Sequence, residues 1–266
     1  MREAHDGRGA RRDILGLRSP AAYGLVAFTA LALLAAPAAA KCGDGPTRGV
    51  DWSGCSKSNL MLGRSNLSGA VLQRATLTGT DFSGSNLVGA KLSGAELSFV
   101  RFEGADLSGA DFTKAAGGRT NFSRANLLNA VFQSAEFGRA SFADAVLTGA
   151  SFTKAEVNRS TFEGADLTSV DMSKAELART SFANAKAGGV NFSYSNLARA
   201  DLRGVSLPGV NLAGAYLFLT LVTGADLSQV TGLTQDQLDL ACGSNETKLP
   251  PGLKGPQSWP CSEKPE

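Results

Sequence analysis

The sequence predicts an all-β chain wound into a four-sided β-solenoid, closed at its C-terminal end by a short helix. Three observations carry this. From Leu62 to Leu227, stepping by five, 29 of 34 positions hold Leu or Phe without a frame shift. Two residues before each, 33 of the 34 positions hold Ala, Ser, Thr or Val, and Leu60 alone departs. Phe itself recurs every 20 residues.

A strict period of five fits neither a helix, at 3.6, nor a continuous strand, at 2.0. Two inward positions spaced by two do fit a short extended segment. The chain must then bend before the next unit, which suits the frequent Gly, Ser, Asn and Asp. The Phe residues count the sides. Phe82, Phe102, Phe122, Phe142, Phe162 and Phe182 form one series. Phe112, Phe132, Phe152 and Phe192 form a second, offset by ten, with Met172 in its gap. A 20-residue turn with four sides stacks each series on opposite walls. Leu67, Leu87, Leu107, Leu127, Leu147 and Leu167 line a third wall. Coils stacked at strand spacing of about 4.8 Å make about 8.5 turns into a rod roughly 40 Å long.

Units such as Ala105-Asp106-Leu107-Ser108-Gly109 and Ala165-Asp166-Leu167-Thr168-Ser169 carry a small residue, Asp or Asn, Leu or Phe, Ser or Thr, then a variable residue. This resembles the pentapeptide-repeat family over residues 60–232. The resemblance implies a right-handed, four-sided β-solenoid with the central Leu or Phe and the small residue pointing inward. The family includes DNA-mimicking inhibitors of topoisomerase action and membrane-associated effectors, so the resemblance defines a fold far better than a function.

Composition narrows the chemistry. Five Arg and three acids lie in the first 40 residues; of 26 basic and 24 acidic residues, 21 of each remain beyond them. The remainder is neutral. It offers no field for nucleic acid and no net negative charge with which to imitate DNA. The one histidine, His5, is also in the leader, which removes His-based catalysis and His metal ligation from the rest. No Gly-rich phosphate loop, CxxC pair or HExxH helix is present. No catalytic residue, metal or cofactor is expected.

Residues 1–40 read as a secretory signal peptide. An apolar run from Ala21 to Ala36 ends at Pro37, and Ala38-Ala39-Ala40 supplies the small residues for cleavage after Ala40. The run is short of the roughly 20 residues a membrane span needs, and no second one follows. Arg11-Arg12-Asp13-Ile14-Leu15-Gly16 resembles a twin-arginine export signal; the alternative is a general secretory signal with an adventitious Arg pair. Lys41 before Cys42 is wrong for a lipoprotein. The expected location is periplasmic or secreted, with a thylakoid lumen as the alternative.

A solenoid exposes its apolar axis at each end and needs caps. Residues 41–59, with Trp52, read as the N-terminal cap and 233–266 as the C-terminal one. Thr234-Gln235-Asp236-Gln237 is a capping-box pattern for a short helix reaching about Ala241. Trp52 and Trp259 are expected to plug the two ends. The four cysteines allow three pairings. Rod ends about 40 Å apart cannot share a disulfide, which needs Cα atoms within about 7 Å, so Cys42 pairs with Cys55 and Cys242 with Cys261.

Gly117 and Ala187 remove the large inward side chain from two units, and either bulging fills each gap or a small pocket results. Among outward residues, Arg119, Arg139, Arg159, Arg179 and Arg199 recur every 20 residues, with Glu96, Glu136, Glu156 and Glu176 three positions upstream of that series. Lys114, Lys154 and Lys174 follow the same period on the preceding wall. The Arg, Lys154 and Lys174 positions form the candidate partner- or anion-binding wall, with the Glu column available to pair with the Arg column. The expected function is a non-enzymatic exported scaffold or protein–protein interaction protein, a monomer or weak dimer. The alternatives are a binder of anionic envelope polymer and, further off, a DNA-mimicking topoisomerase protector.

Overall fold

The computed structural model describes residues 42–261. The signal-peptide reading of residues 1–40 lies outside the described residues. Within them the chain coils in steps of twenty. Parallel bridges join every outward residue but Lys186 to the one twenty later, from Asp51↔Val71 to Asn211↔Thr231.

One unit shows why five residues suffice. In Ala105–Gly109, Ala105 N–H closes a turn on Phe102 O at 3.0 Å. Asp106 N–H donates to Ser85 O in the preceding coil, and Leu107 N–H to Asn126 O in the next. Gly109 N–H donates to Leu128 O at 2.8 Å. The remaining donor, Ser108 N–H, is taken by the Asp106 carboxylate at 3.1 Å. All five backbone donors are therefore satisfied, which is the requirement a continuously buried wall imposes. The Asp or Asn of each such unit serves the one donor that the coils leave over. Asp81, Asp111 and Asp171 do the same for Ser83, Thr113 and Ser173.

The corner residue, two after the inward Leu or Phe, has positive φ at almost every unit, as the third residue of a type II turn requires. Glycine fills many corners. Among the described residues twenty that are not glycine also adopt this conformation, and eight of them are Arg and three Lys.

The two Phe series stack as ladders. Centroids along the first are 4.6–5.4 Å apart, from Phe82–Phe102 to Phe162–Phe182, with near-parallel planes. Phe112–Phe132 and Phe132–Phe152 stack at 4.6 and 4.4 Å. The ladders meet edge to face across the axis, as Phe112 and Phe122 do at 5.5 Å and 89°, the geometry the ring quadrupole favours. Buried hydroxyls at small positions donate to carbonyls of the coil below, such as Ser85 to Leu62 O and Thr220 to Leu197 O, both at 2.7 Å. No buried side-chain polar atom among the described residues lacks a partner.

The regular register begins earlier than the sequence pattern places it. Asp51 and Ser56 already bridge to Val71 and Thr76, so much of 41–59 is coil rather than a separate cap. The pattern is obscured because Trp52 and Lys57 stand at inward positions. Trp52 is fully buried. Lys57 folds over its ring with Nζ 4.4 Å from the centroid, so the end of the axis is covered by a cation rather than left open. The Cys42–Cys55 disulfide ties this end, with Cα atoms 5.6 Å apart.

At the other end, α1 (Gln235–Asp239) has both halves of the capping box at Thr234 and Gln237. It stops two residues short of the expected Ala241. Gln237 Nε2 donates to Leu212 O and Ala215 O, each at 2.8 Å, covering carbonyls that a further coil would have met. The chain then rejoins the ladder at Leu221↔Cys242 and Asp226↔Lys248. Cys242 and Cys261 are bonded, Cα to Cα 5.5 Å, and Trp259 Nε1 donates to Ala241 O at 2.8 Å. Both predicted pairings are formed.

Gly117 leaves neither a bulge nor a pocket. Its N–H keeps the ladder bond to Glu136 O at 2.7 Å, and the Phe137 ring and Thr120 Oγ1 occupy the space its side chain would take. Ala187 is different. Its coil keeps the bridge Asp166↔Lys186, but among the described residues no bridge joins Lys186 to Ser206.

Candidate functional site

Four sides present outward residues, and the fourth is set apart. Its inward residues include Leu97, Gly117, Phe137, Val157 and Leu177. Its outward surface carries four parallel columns. Lys114, Lys154 and Lys174 stand at the corner where the chain enters the side, all at φ of 58–59°. Glu136, Glu156 and Glu176 follow, bridged directly to one another. Next come small residues: Gly118, Gly138, Asn158, Ala178 and Ala198. Arg119, Arg139, Arg159, Arg179 and Arg199 hold the exit corner at φ of 59–60°. All the predicted wall residues thus fall on one side, with the lysines and arginines on its opposite edges.

At three successive coils the expected Arg–Glu compensation is not formed. Among the described residues, Arg139, Arg159 and Arg179 make no ion pair with Glu136, Glu156 or Glu176. Glu176 instead accepts from Asn196 Nδ2 at 2.7 Å. Elsewhere on the molecule coil-to-coil pairs do form. Arg101 pairs with Asp81 at 3.7 Å, Lys186 with Asp166 at 3.9 Å, and Arg124 with Glu103.

Left-handed corners cost a non-glycine residue on the order of 1 kcal/mol or more. Arg139, Arg159 and Arg179 bear that cost at three successive coils, with no ion pair to Glu136, Glu156 or Glu176. Among the described residues no β-branched residue occupies such a corner.

Apolar residues that the sequence pattern did not single out flank the ladder on this same side. Phe99 occupies the Arg corner one coil before Arg119 and is 55% exposed, with the Arg119 guanidinium 5.6 Å from its centroid. Beyond Arg199 come Tyr216 and Phe218, 49% and 39% exposed, with rings 6.1 Å apart and nearly parallel. Leu219 follows at the Arg corner with φ 53°. Their sequence signal is a large apolar residue at outward positions otherwise polar or small.

Carboxylates on other sides are structural. Hydrogen bonds from the Ser83 hydroxyl hold Asp81 below the usual carboxylate range against slight burial, with further help from Ser83 N–H and Arg101. Asp226 is drawn down to about 2, first by the Ser228 hydroxyl, then by Ser228 N–H and Lys248. Among the described residues no group of three or more His, Cys, Asp or Glu side chains could hold a metal. None of their helices is long and apolar enough to cross a membrane.

The fold defines a class: a four-sided β-solenoid built from five-residue units. The pattern of the pentapeptide repeat region matches residues 135–212, and that of pentapeptide repeats matches 62–94, 95–130 and 195–231. The chain belongs to the pentapeptide-repeat family. No curated protein sequence matches it. Among solved structures it is similar to QnrB1, a plasmid-mediated fluoroquinolone resistance protein, at 21% identity over 75% of this chain and 91% of that one, TM-score 0.46. It is also similar to HetL, involved in heterocyst differentiation regulation in the cyanobacterium Nostoc sp. strain PCC 7120, at 24% identity over 71% and 91%, TM-score 0.29. A pentapeptide repeat protein of the Arabidopsis thaliana thylakoid lumen matches at 36% identity over 42% and 75%, TM-score 0.21.

Proposed function

We propose that the protein is a non-enzymatic exported scaffold that engages protein partners along its fourth side. The observation that carries this is the Arg column at strained left-handed corners, where Arg139, Arg159 and Arg179 have no ion pair with the Glu column beside them. Guanidinium groups repeated at the coil spacing, three of them without an ion pair to the neighbouring glutamates, offer an outside surface a register of charged donors. Arg is suited to that task because its planar fork binds carboxylates in two-point fashion.

The Glu column discriminates between partner classes. An anionic polymer reaching across the side would meet Glu136, Glu156 and Glu176 as well as the arginines. A protein surface of mixed charge meets both columns favourably. Two disulfides support an oxidising, extracytoplasmic location. That location and the neutral composition beyond the leader both weigh against a DNA mimic acting on cytoplasmic topoisomerase.

The test is in-cell cross-linking of the tagged protein, followed by mass spectrometry, beside a variant with Arg139→Gln, Arg159→Gln and Arg179→Gln. The expected result is a defined protein captured by the native wall and lost with the variant. An unchanged set of captured proteins overturns the reading.

A further inference from the structure

We infer that the partner of the fourth side is a second copy of the same side, in a parallel, side-by-side dimer. This rests on the reading of that side as an interaction wall and names its occupant.

The inference comes from the order of the columns. Glu136, Glu156 and Glu176 are direct register neighbours, so three like charges stack at about the 4.8 Å strand spacing. The Arg column does the same along the corner. Between them runs the small column of Gly138, Asn158 and Ala178. A two-fold axis parallel to the rod and passing over the small column lays the two sides face to face. It places Glu156 against the partner's Arg159, and Arg159 against the partner's Glu156. The same holds for Glu136 with Arg139 and for Glu176 with Arg179. Along the charged coils Gly138, Asn158 and Ala178 lie on the axis, so no large side chain holds the two sides apart there. The lysine edge falls outside the contact.

An antiparallel arrangement cannot do this. A two-fold axis across the rods lays Glu over Glu and Arg over Arg, whatever the shift along the rod. Charge therefore selects the parallel dimer.

The exposed rings obey the same symmetry. Phe218 belongs to the small column, so it meets its own copy at the axis. Tyr216 belongs to the Glu column and Leu219 to the Arg column, so each Tyr216 lies against the partner's Leu219. The apolar patch, half-exposed in the single chain, closes on itself where the charges end.

Six coils separate Phe99 from Leu219, about 29 Å at strand spacing, and one five-residue side is at most about 16 Å wide. The contact is then at most about 460 Å² per copy, below the roughly 800 Å² of standard interfaces. The dimer is therefore weak, and salt screens it.

The test is sedimentation velocity of the purified oxidised protein at low and high salt. The native chain dimerises at high micromolar concentration in low salt and dissociates in about 0.5 M salt. One variant carries Arg139→Glu, Arg159→Glu and Arg179→Glu; a second carries Glu136→Arg, Glu156→Arg and Glu176→Arg. Each alone is weaker as a dimer by at least tenfold, with circular dichroism and melting temperature as controls for folding. A single chain carrying all six changes restores the native association, and its unchanged net charge excludes bulk attraction as the cause. Register is read by cross-linking: Ala178→Cys couples to itself and not to Gly138→Cys in a mixed sample. A native chain that is monomeric at 200 µM in low salt overturns the dimer, as does a six-change chain that stays monomeric. Coupling of Ala178→Cys to Gly138→Cys overturns its parallel register. If the native chain is monomeric yet the Arg→Gln variant still loses its cross-linked partner in cells, the interaction wall stands and only self-association fails.

Discussion

Phe137 occupies the space that Gly117 leaves empty: a Cβ built on Gly117 would collide with Phe137 Cε1 and lie 2.5 Å from Thr120 Oγ1. The missing large residue of one coil is supplied by the ring of the next. Gly117→Ala is therefore expected to destabilise the protein by about 1–3 kcal/mol through overpacking. Phe137→Leu, which shortens the ring, should recover part of that loss in the double variant. Denaturant titration of the four chains of the cycle checks both statements; additive effects would show that the two residues do not share the space.

The left-handed corners predict an order among substitutions. Arg159 has φ 60°, a conformation glycine adopts freely and a β-branched residue resists. Arg159→Gly should leave stability unchanged or raise it by up to about 1 kcal/mol, whereas Arg159→Val should lower it by about 1–2 kcal/mol. The midpoint of guanidinium unfolding distinguishes them. Equal midpoints would remove the strain argument from the Arg column.

Acid should unfold the protein through its turn carboxylates. Asp81 and Asp166 lie below the ordinary value and Asp226 at about 2. The unfolded chain, with carboxyl groups near 3.9, then binds protons that the folded chain does not. This stability is present above about pH 4 and is lost as pH falls toward 2. Urea midpoints measured between pH 5 and pH 2 should drop. The drop should shrink in a Ser83→Ala, Ser228→Ala variant, which removes the hydroxyls that hold Asp81 and Asp226 down.

Reduction should act at the ends and not along the walls. Cys242–Cys261 closes a tail of 19 residues that includes Trp259, and a loop of that size contributes roughly 3 kcal/mol. In a Trp52→Phe background, Cys242→Ser with Cys261→Ser should shift Trp259 fluorescence to the red. Hydrogen exchange should accelerate across 242–261 and leave the Phe82–Phe182 ladder protected. Loss of protection throughout the ladder would contradict a cap that only covers the end.

Ladder continuity marks a second weak point. Among the described residues no bridge joins Lys186 to Ser206, beside the undersized Ala187. Amides of 203–207 are expected to exchange faster than those of 163–167 on the same walls. Equal rates would show that the missing bridge has no energetic weight.

The residues that repeat were legible without a structure. The five-residue period, the small inward partner and the twenty-residue Phe spacing determine the solenoid, its four sides and its stacked rings, because a core position admits few side chains and so leaves a pattern. The disulfide pairing followed from rod length alone, and the capping box at Thr234 was readable because it uses local hydrogen bonds. The start of the coils is less legible, since Trp52 and Lys57 hold inward positions that the pattern reserves for Leu or Phe.

The sequence also placed Arg119 through Arg199 in one column, because register is periodic. It did not show that those arginines sit at left-handed corners, that Arg139, Arg159 and Arg179 form no ion pair with the Glu column, or that Phe99, Tyr216 and Phe218 share their side. Nor did it show that Phe137 fills the gap at Gly117. Those relationships depend on how each corner aims its side chain and on which atoms of the next coil come within a few ångströms. Periodicity determines which coil a residue joins; only the folded backbone decides the direction in which it points.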